Sequence, residues 1–400
     1  MPSTSLGIFS VRWWGGANIV FHGQILYIYT VHQDLREALM TSLRPGLRKG
    51  RGALSNIESR FDNWDRAHDD DALAAILELE GERPAPKTTV AFEDAKSIIS
   101  RNQSPDVPFD QSINAYRGCE HGCSYCFARP THAYLGLSPG LDFETKLTAK
   151  PNAAVLLEKE LSKRTYIPSV IALGTNTDPY QPIEREHQLT RRILEVLEAF
   201  NHPVAITTKS HLVTRDIDIL SRMAEKGLAR VYLSVTTLDA ELARRMEPRA
   251  STPSRRVDAI RMLTAAGIPT GVLAAPMIPA LNDYELENIL SATANAGASA
   301  AAYVLLRLPL EVHDIFIEWL EQHYPGRKNH VLSIIESMRD GKHYDAEFGR
   351  RMRGTGIFSE LIAKRFELAC NRLGLNQERR KLRTDLFQAP INPSPQGSLF

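Results

Sequence analysis

The chain is poor in cysteine, with four in 400 residues, which excludes the disulfide framework that staples small secreted domains. It also lacks an excess of either charge. Its 48 basic and 47 acidic residues leave a formal net charge of +1, so no global field draws it to a polyanion and any nucleic-acid surface has to be a local patch. No apolar run is long enough to cross a bilayer: residues 18–31 come nearest, but His22, Gly23 and Gln24 interrupt them, and a helical span needs about 20 apolar residues. A secretory signal is missing too, because only Arg12 charges the amino-terminal stretch and no small-residue cleavage site follows. These absences point to a reducing, cytoplasmic setting with no membrane partner. Residues 1–39 read as a leader, and Met40, which opens a very different basic segment, is a candidate start.

Against that scarcity, Cys119, Cys123 and Cys126 fall in one short run, RGCEHGCSYCFAR, at residues 117–129. Thiolates bind soft metals, and a loop that supplies several of them at short spacing loses little chain entropy in gathering them. Three thiolates leave a four-coordinate site incomplete. Either another residue completes it, or one position stays open for a ligand, which marks a catalytic rather than a structural site. On spacing alone, a structural zinc completed by His121 or His132 and an iron–sulfur cluster stand level.

The flanks separate the two. C-x3-C-x2-C with Tyr125 before and Phe127 after the last cysteine, preceded by Asn114, Tyr116, Arg117 and Gly118, resembles the radical S-adenosylmethionine (SAM) superfamily. The run from Asn114 through AYRGCEHGCSYCFARPTHAYLG is closer still to the SplB-like subgroup related to spore photoproduct lyase. The resemblance covers about residues 48–374, most specifically 114–136. It implies a 4Fe-4S cluster on Cys119, Cys123 and Cys126 whose unique iron is chelated by the amino and carboxylate groups of S-adenosyl-L-methionine. It further implies a lyase-like or hydrogen-abstracting enzyme that cleaves SAM to a 5′-deoxyadenosyl radical, and an electron donor such as flavodoxin or ferredoxin.

Short apolar β-branched runs alternate with helical periodicity after the cysteines. Strands are predicted near 112–117, 169–173, 204–208, 230–236, 270–274 and 302–306, and helices near 152–164, 185–199, 216–226, 254–266 and 284–296. Strand, helix, strand at this spacing gives βα units on a parallel sheet. The expected fold is α/β, a partial (β/α)6 radical SAM barrel with a C-terminal helical extension. The expected division is a leader at 1–39, a linker or wrapping segment at 40–105 with one short helix at 72–79, the core at 106–310, a helical region at 311–386 and a flexible tail at 387–400. In parallel barrels the chemistry lies at the C-terminal strand ends, where GTNTDPYQP, TTKS and YLSVTT place Thr177, Asp178, Lys209 and Ser234. By the resemblance, Thr177 and Asp178 reach the ribose or amino group of SAM, Lys209 its carboxylate and Ser234 its ribose or carboxylate, while the backbone around Tyr125 and Phe127 meets the adenine. Asp178 before Pro179 also reads as a turn residue, and Ser234 as a group that satisfies backbone. Arg249 in Glu247-Pro248-Arg249 reads either as a partner of the cofactor carboxylate or as a partner of Glu247. Thr252 and Pro253 read as helix punctuation.

Nothing in these motifs identifies a substrate. The repair members of the family carry a cysteine just ahead of the position matching Thr177, and here that residue is Thr175, which cannot return a hydrogen atom. Photoproduct repair is therefore not the expected activity, while other nucleic-acid substrates stay open. Arg44, Arg48, Lys49 and Arg51, and again Arg350, Arg351 and Arg353, read as phosphate contacts or as solvated loops and helix ends. Cys370, at helical spacing, reads as core. The proline-rich end carries Gln396, Leu399 and Phe400, which resembles the peptide that docks on the bacterial sliding clamp. A zinc-stabilised, DNA-associated adaptor riding that clamp is the alternative function.

Overall fold

The structure is a computed structural model that describes residues 50–62, 87–378 and 381–389. The leader, the helix expected at 72–79, Arg44, Arg48, Lys49 and the clamp-like Gln396, Leu399 and Phe400 lie outside the described residues. The chain divides into two units, residues 1–44 with 66–83, and residues 45–65 with 84–400; the described residues all belong to the second.

The main sheet has seven strands in the order β10-β9-β8-β7-β6-β3-β2. They are β2 (Ile99–Arg101), β3 (Gln111–Ile113), β6 (Ile171–Leu173), β7 (Val204–Thr208), β8 (Ala229–Ser234), β9 (Thr270–Met277) and β10 (Ala300–Leu305). Only β2 runs antiparallel, against β3; the other six are parallel neighbours in chain order, which is the six-unit partial barrel the sequence predicts. Each crossover carries a helix: α1 (Ala153–Leu161), α2 (Leu189–Ala199), α3 (Ile217–Glu225), α4 (Pro253–Ala265) and α5 (Leu286–Asn295). Their apolar positions recur every three to four residues, so Leu157 and Leu161, Ile193 and Leu197, or Ile260 and Leu263 fall on one face and are buried. Helices α6 (Val312–His323), α7 (Lys328–Ser337) and α8 (Gly356–Leu373) form the helical C-terminal region. Trp319 on α6 is fully buried and its indole N–H donates to Arg245 O at 2.9 Å. Cys370 on α8 is a buried core residue.

Several expectations are corrected. The strand predicted at 112–117 breaks at Asn114. Gln111–Ile113 stays in the main sheet, and β4 (Tyr116–Arg117) turns away to join β5 (Lys146–Ala149) and β1 (Thr89–Phe92) in a second sheet. That sheet left no periodicity to read, since its strands have four residues or fewer and β1 is mostly exposed. Thr252 precedes α4 as expected, but its hydroxyl meets Ser254 Oγ at 3.2 Å and caps no backbone N–H. Phe387, expected in a flexible tail, packs on Tyr166, Phe200 and His202, and Gln388 N donates to Phe200 O at 3.0 Å. In the RRMRGTG turn, Arg350 is surrounded by Asp340, Asp345 and Glu347, and Arg351 pairs with Asp106 at 2.5 Å and donates to Ser104 Oγ at 2.6 Å. These two are neutralised from within. Leu305 N at the end of β10 donates to Met352 O at 3.0 Å, so the same segment ties β10 to the loop between β2 and β3.

Candidate active site at the cysteine loop

The cysteine loop is held from beneath by a buried ion pair. Arg129 pairs with Glu144, both with fully buried side chains, and donates to three carbonyls, Cys123 O at 2.9 Å, Pro139 O at 3.0 Å and Gly140 O at 2.8 Å. Pairing and hydrogen bonding of this kind offset the cost of burying the two charges. Glu144 also accepts from Gly52 N at 3.0 Å and Ala53 N at 2.7 Å. Arg51 is neither a phosphate contact nor part of a solvated loop: it is buried and donates to Glu144 O and to Thr88 Oγ1, both at 2.9 Å. A Cβ on Gly52 would lie 1.7 Å from Gly122 O, so only glycine lets the two backbones approach.

Cys119, Cys123 and Cys126 open onto one cleft at the C-terminal ends of β6, β7 and β8. The cleft is open to solvent, and its walls include Phe127, Thr175, Asn176, Thr177, Asp178, Lys209 and Ser234. Asn114, where the chain leaves the main sheet, reaches up to donate to Thr175 Oγ1 at 3.0 Å and accept from Asn176 N at 3.0 Å, which sets the shape of the β6 exit.

The electrostatics of the cleft divide into satisfied and unsatisfied groups. Asp178 accepts from Thr208 Oγ1 at 2.6 Å, Lys209 N at 2.8 Å and Tyr180 N at 2.9 Å, and lies 3.3 Å from His121 Nδ1. Burial alone would raise its pKa, but His121 and these donors bring it down to about 2. Behind the cleft, Glu247 pairs with Arg256 and accepts from Tyr125 and from Thr236 Oγ1 at 2.7 Å. Burial opposes its ionisation, yet Arg256 and then Lys209 hold its pKa at about 2. The Lys209 ammonium, by contrast, makes no hydrogen bond or ion pair among the described residues. It stands 5.8 Å from the centre of the Tyr125 ring; burial lowers its pKa, and Cys123 and Glu247 outweigh that and raise it. Burial also pushes Cys123 up to about 12 and Cys119 well above the ordinary thiol range. Such groups stay protonated at neutral pH until a metal cation displaces the proton.

Of the residues singled out in sequence, the three cysteines, Phe127, Thr177, Asp178, Lys209 and Ser234 meet at the cleft. Tyr125 and Arg249 are not part of its wall. Tyr125 is buried with its hydroxyl on Glu247, and Arg249 pairs with Glu120 at 3.1 Å, not with Glu247. The partner of Glu247 is Arg256, missed because it reads as one of several polar residues on α4. His121 was weighed as a zinc ligand and is instead the partner of Asp178, while His132 Nε2 faces Lys146 O at 2.9 Å.

The donor set was tested against both metals. Among the described residues, no three His, Cys, Asp or Glu side chains converge on one point, as ligands about 2.0–2.3 Å from a single zinc must. A cubane cluster instead takes each thiolate on a different iron, so three thiols spread around one cleft fit it. The unpartnered Lys209 ammonium in the wall fits a carboxylate-bearing ligand beside it.

This parallel barrel with its cysteine cleft is the architecture of a known class. The sequence family described as the radical SAM superfamily matches residues 113–292. A protein of Mycobacterium tuberculosis (strain ATCC 25618 / H37Rv) is 36% identical over 280 residues, covering 69% of this chain and 81% of that one. The chain belongs to the radical SAM superfamily, and its cofactors are those of the family, a 4Fe-4S cluster and S-adenosylmethionine. A protein of Methanocaldococcus jannaschii is 29% identical over 231 residues, with 58% of this chain and 82% of that one covered. Among solved structures, the fold is similar to spore photoproduct lyase complexed with dinucleoside spore photoproduct, at a TM-score of 0.50 and 16% identity over 72% of this chain and 81% of that one. A variant of the same lyase with bound AdoMet also has a TM-score of 0.50, at 15% identity over 76% and 92% of the two chains. No helix among the described residues is long and apolar enough to cross a membrane.

Proposed function

We propose that Cys119, Cys123 and Cys126 hold the cluster, that Lys209, Thr177 and Ser234 hold SAM beside it, and that the enzyme abstracts a hydrogen atom from a nucleic-acid substrate. The observation that carries this reading is the convergence of three thiols and one unpartnered ammonium on a single cleft at the strand ends. When bound and reduced, by a donor such as flavodoxin or ferredoxin, the cluster supplies the electron that cleaves the SAM sulfonium to methionine and a 5′-deoxyadenosyl radical. The residues of the chain bind and orient. Lys209 binds the SAM carboxylate, since its ammonium has no hydrogen-bond or ion-pair partner among the described residues. Asp178 does not bind SAM through its carboxylate, whose oxygens are occupied; it fixes the β6 and β7 ends against the cysteine loop. Tyr125, anchored behind the cleft by Glu247 and Arg256, packs its ring beside Lys209. Positioning of this kind is how a protein directs a reactive cofactor at one substrate atom.

The nucleic-acid assignment rests on the fold shared with spore photoproduct lyase, whose structure is solved with a dinucleoside. Thr175 lies in the cleft wall where the repair members carry their hydrogen-returning cysteine, so the reading is nucleic-acid modification or repair of another kind. To test it, the protein is purified without oxygen, reconstituted with iron and sulfide, reduced with dithionite and assayed for 5′-deoxyadenosine. Production that vanishes in Cys123→Ala is expected. A fully loaded cluster that yields none, or a colourless preparation holding one zinc, would overturn the reading.

A further inference from the structure

A pair of arginines beside the cleft has no ion-pair partner among the described residues. Arg307 stands just past the end of β10, with its guanidinium carbon 5.3 Å from the centre of the Phe127 ring, and Phe127 lines the cleft next to Cys126. Arg339, just past α7, is 1% exposed and donates Nη2 to Leu306 O at 2.8 Å and to Arg351 O at 3.3 Å. Its Nε and Nη1 are buried without a hydrogen-bond partner, as is Nε of Arg307. The other Arg307 contacts are weak: Nη1 donates to Met352 Sδ at 3.6 Å, a poor acceptor, and Nη2 reaches Tyr344 Oη at a long 3.5 Å.

The acids of the neighbourhood are engaged elsewhere. Asp106 takes Arg351 and Gly349 N, and Arg350 takes Asp340, Asp345 and Glu347. Neither Arg307 nor Arg339 has an ion pair among the described residues. Burial, then the nearby Arg307, lowers the pKa of Arg339, with Asp345 and Tyr344 opposing. Two neighbouring guanidiniums without an ion pair repel each other, and an anion bound at Arg307 would relieve that cost beyond what Asp106 and Asp345, each paired with another arginine, supply.

We propose that Arg307, backed by Arg339, binds a phosphate group of the substrate at the cleft edge. This deepens the reading above and rests on it for the claim that the anion belongs to the substrate. The planar fork of Arg307 matches phosphate oxygens. Arg339 is anchored to two backbone carbonyls behind it and acts as a positioning charge. Phe127 is 49% exposed between Arg307 and the cysteines, and an exposed ring next to a phosphate-binding cation is the pairing that takes a base and its phosphate together.

The test is fluorescence anisotropy of the full chain with a fluorescein-labelled single-stranded DNA dodecamer, with thymidine 5′-monophosphate and thymidine as competitors. Wild type is expected to bind the dodecamer with an affinity that falls as salt rises. Arg307→Gln should weaken binding roughly tenfold or more, Arg307→Lys should recover part of it, and Arg350→Gln, whose charge is already neutralised, should leave it unchanged. Melting curves confirm that each variant folds. Arg307-dependent binding of the monophosphate without the dodecamer would assign the phosphate to a free nucleotide; both results establish the site. It is overturned if neither phosphate probe binds wild type, if thymidine competes as well as its monophosphate, or if Arg307→Gln binds like wild type. SAM cleavage is scored separately on wild type. Cleavage without phosphate binding sinks this inference alone, and Arg307-dependent phosphate binding without cleavage sinks the radical reading alone.

Discussion

His121 Nδ1 lies 3.3 Å from Asp178 Oδ2, and this contact joins the cysteine loop to the barrel. Asp178 at the same time receives Thr208 and the Lys209 amide, so one carboxylate fastens the loop, the β6 exit and the end of β7. Asp178→Ala leaves those donors without an acceptor and is expected to cost roughly 3–5 kcal/mol. A urea titration of the unloaded protein measures the loss, and the iron retained after reconstitution should fall with it. An Asp178→Ala protein as stable and as iron-rich as wild type would show that the carboxylate fastens nothing.

The proposed SAM contact of Lys209 can be tested apart from cluster binding. Lys209→Met keeps the stem and removes the charge, so iron and sulfide per chain should stay at the wild-type value while SAM affinity falls roughly 10–100-fold. Equilibrium dialysis with labelled SAM on the reconstituted protein reads the affinity. A parallel fall in iron would place Lys209 with the cluster instead.

Gly52 touches Gly122 so closely that a methyl group has no room. Gly52→Ala should destabilise by about 1–3 kcal/mol or more and lower iron loading, because the displaced neighbour is the backbone of the cysteine loop. Gly326→Ala, where an added Cβ meets nothing, is the matched control and should melt like wild type.

His202 predicts an acid sensitivity remote from the cofactors. It is fully buried between Tyr166 and Phe387, and burial, opposed by its bond to Pro203 O, brings its pKa from 6.5 down to about 4. The unfolded chain takes up the proton first as pH falls. The stability is therefore complete above about pH 6.5 and lost progressively toward pH 4, by about 3 kcal/mol in all. Denaturation midpoints of the unloaded protein at pH 7.5 and 4.5, compared with those of His202→Gln, isolate the contribution; an equal pH dependence in the variant would refute it.

The parallel barrel was legible because its elements are locally encoded. The strand expected at 204–208 is observed as Val204–Thr208, and the helices expected at 216–226 and 254–266 as Ile217–Glu225 and Pro253–Ala265; in each, apolar spacing alone distinguishes strand from helix. The cleft was legible where its residues sit at strand ends, since the barrel brings those ends together whatever the loops do. Thr177, Asp178, Lys209 and Ser234 belong to that part, whereas Cys119, Cys123 and Cys126, on the loop after β4, were legible by their spacing.

The tertiary structure decided what depends on partners distant in the chain. Glu144 and Gly52 are 92 positions apart, Tyr125 and Glu247 122, and Asp106 and Arg351 245, and no periodicity marks such pairs. Whether an arginine is a free cation or one half of an ion pair is likewise a property of packing. Arg249, Arg350 and Arg351 read in sequence as candidate anion contacts and are paired, whereas Arg307 and Arg339, unmarked in sequence, have no ion pair among the described residues and keep buried N–H groups without a partner. The sequence by itself determined the barrel, the cysteine motif and the strand-end residues, because local propensity and spacing act over a few residues. Which charges remain uncompensated was set by the fold, because electrostatic balance is a sum over everything the chain brings near.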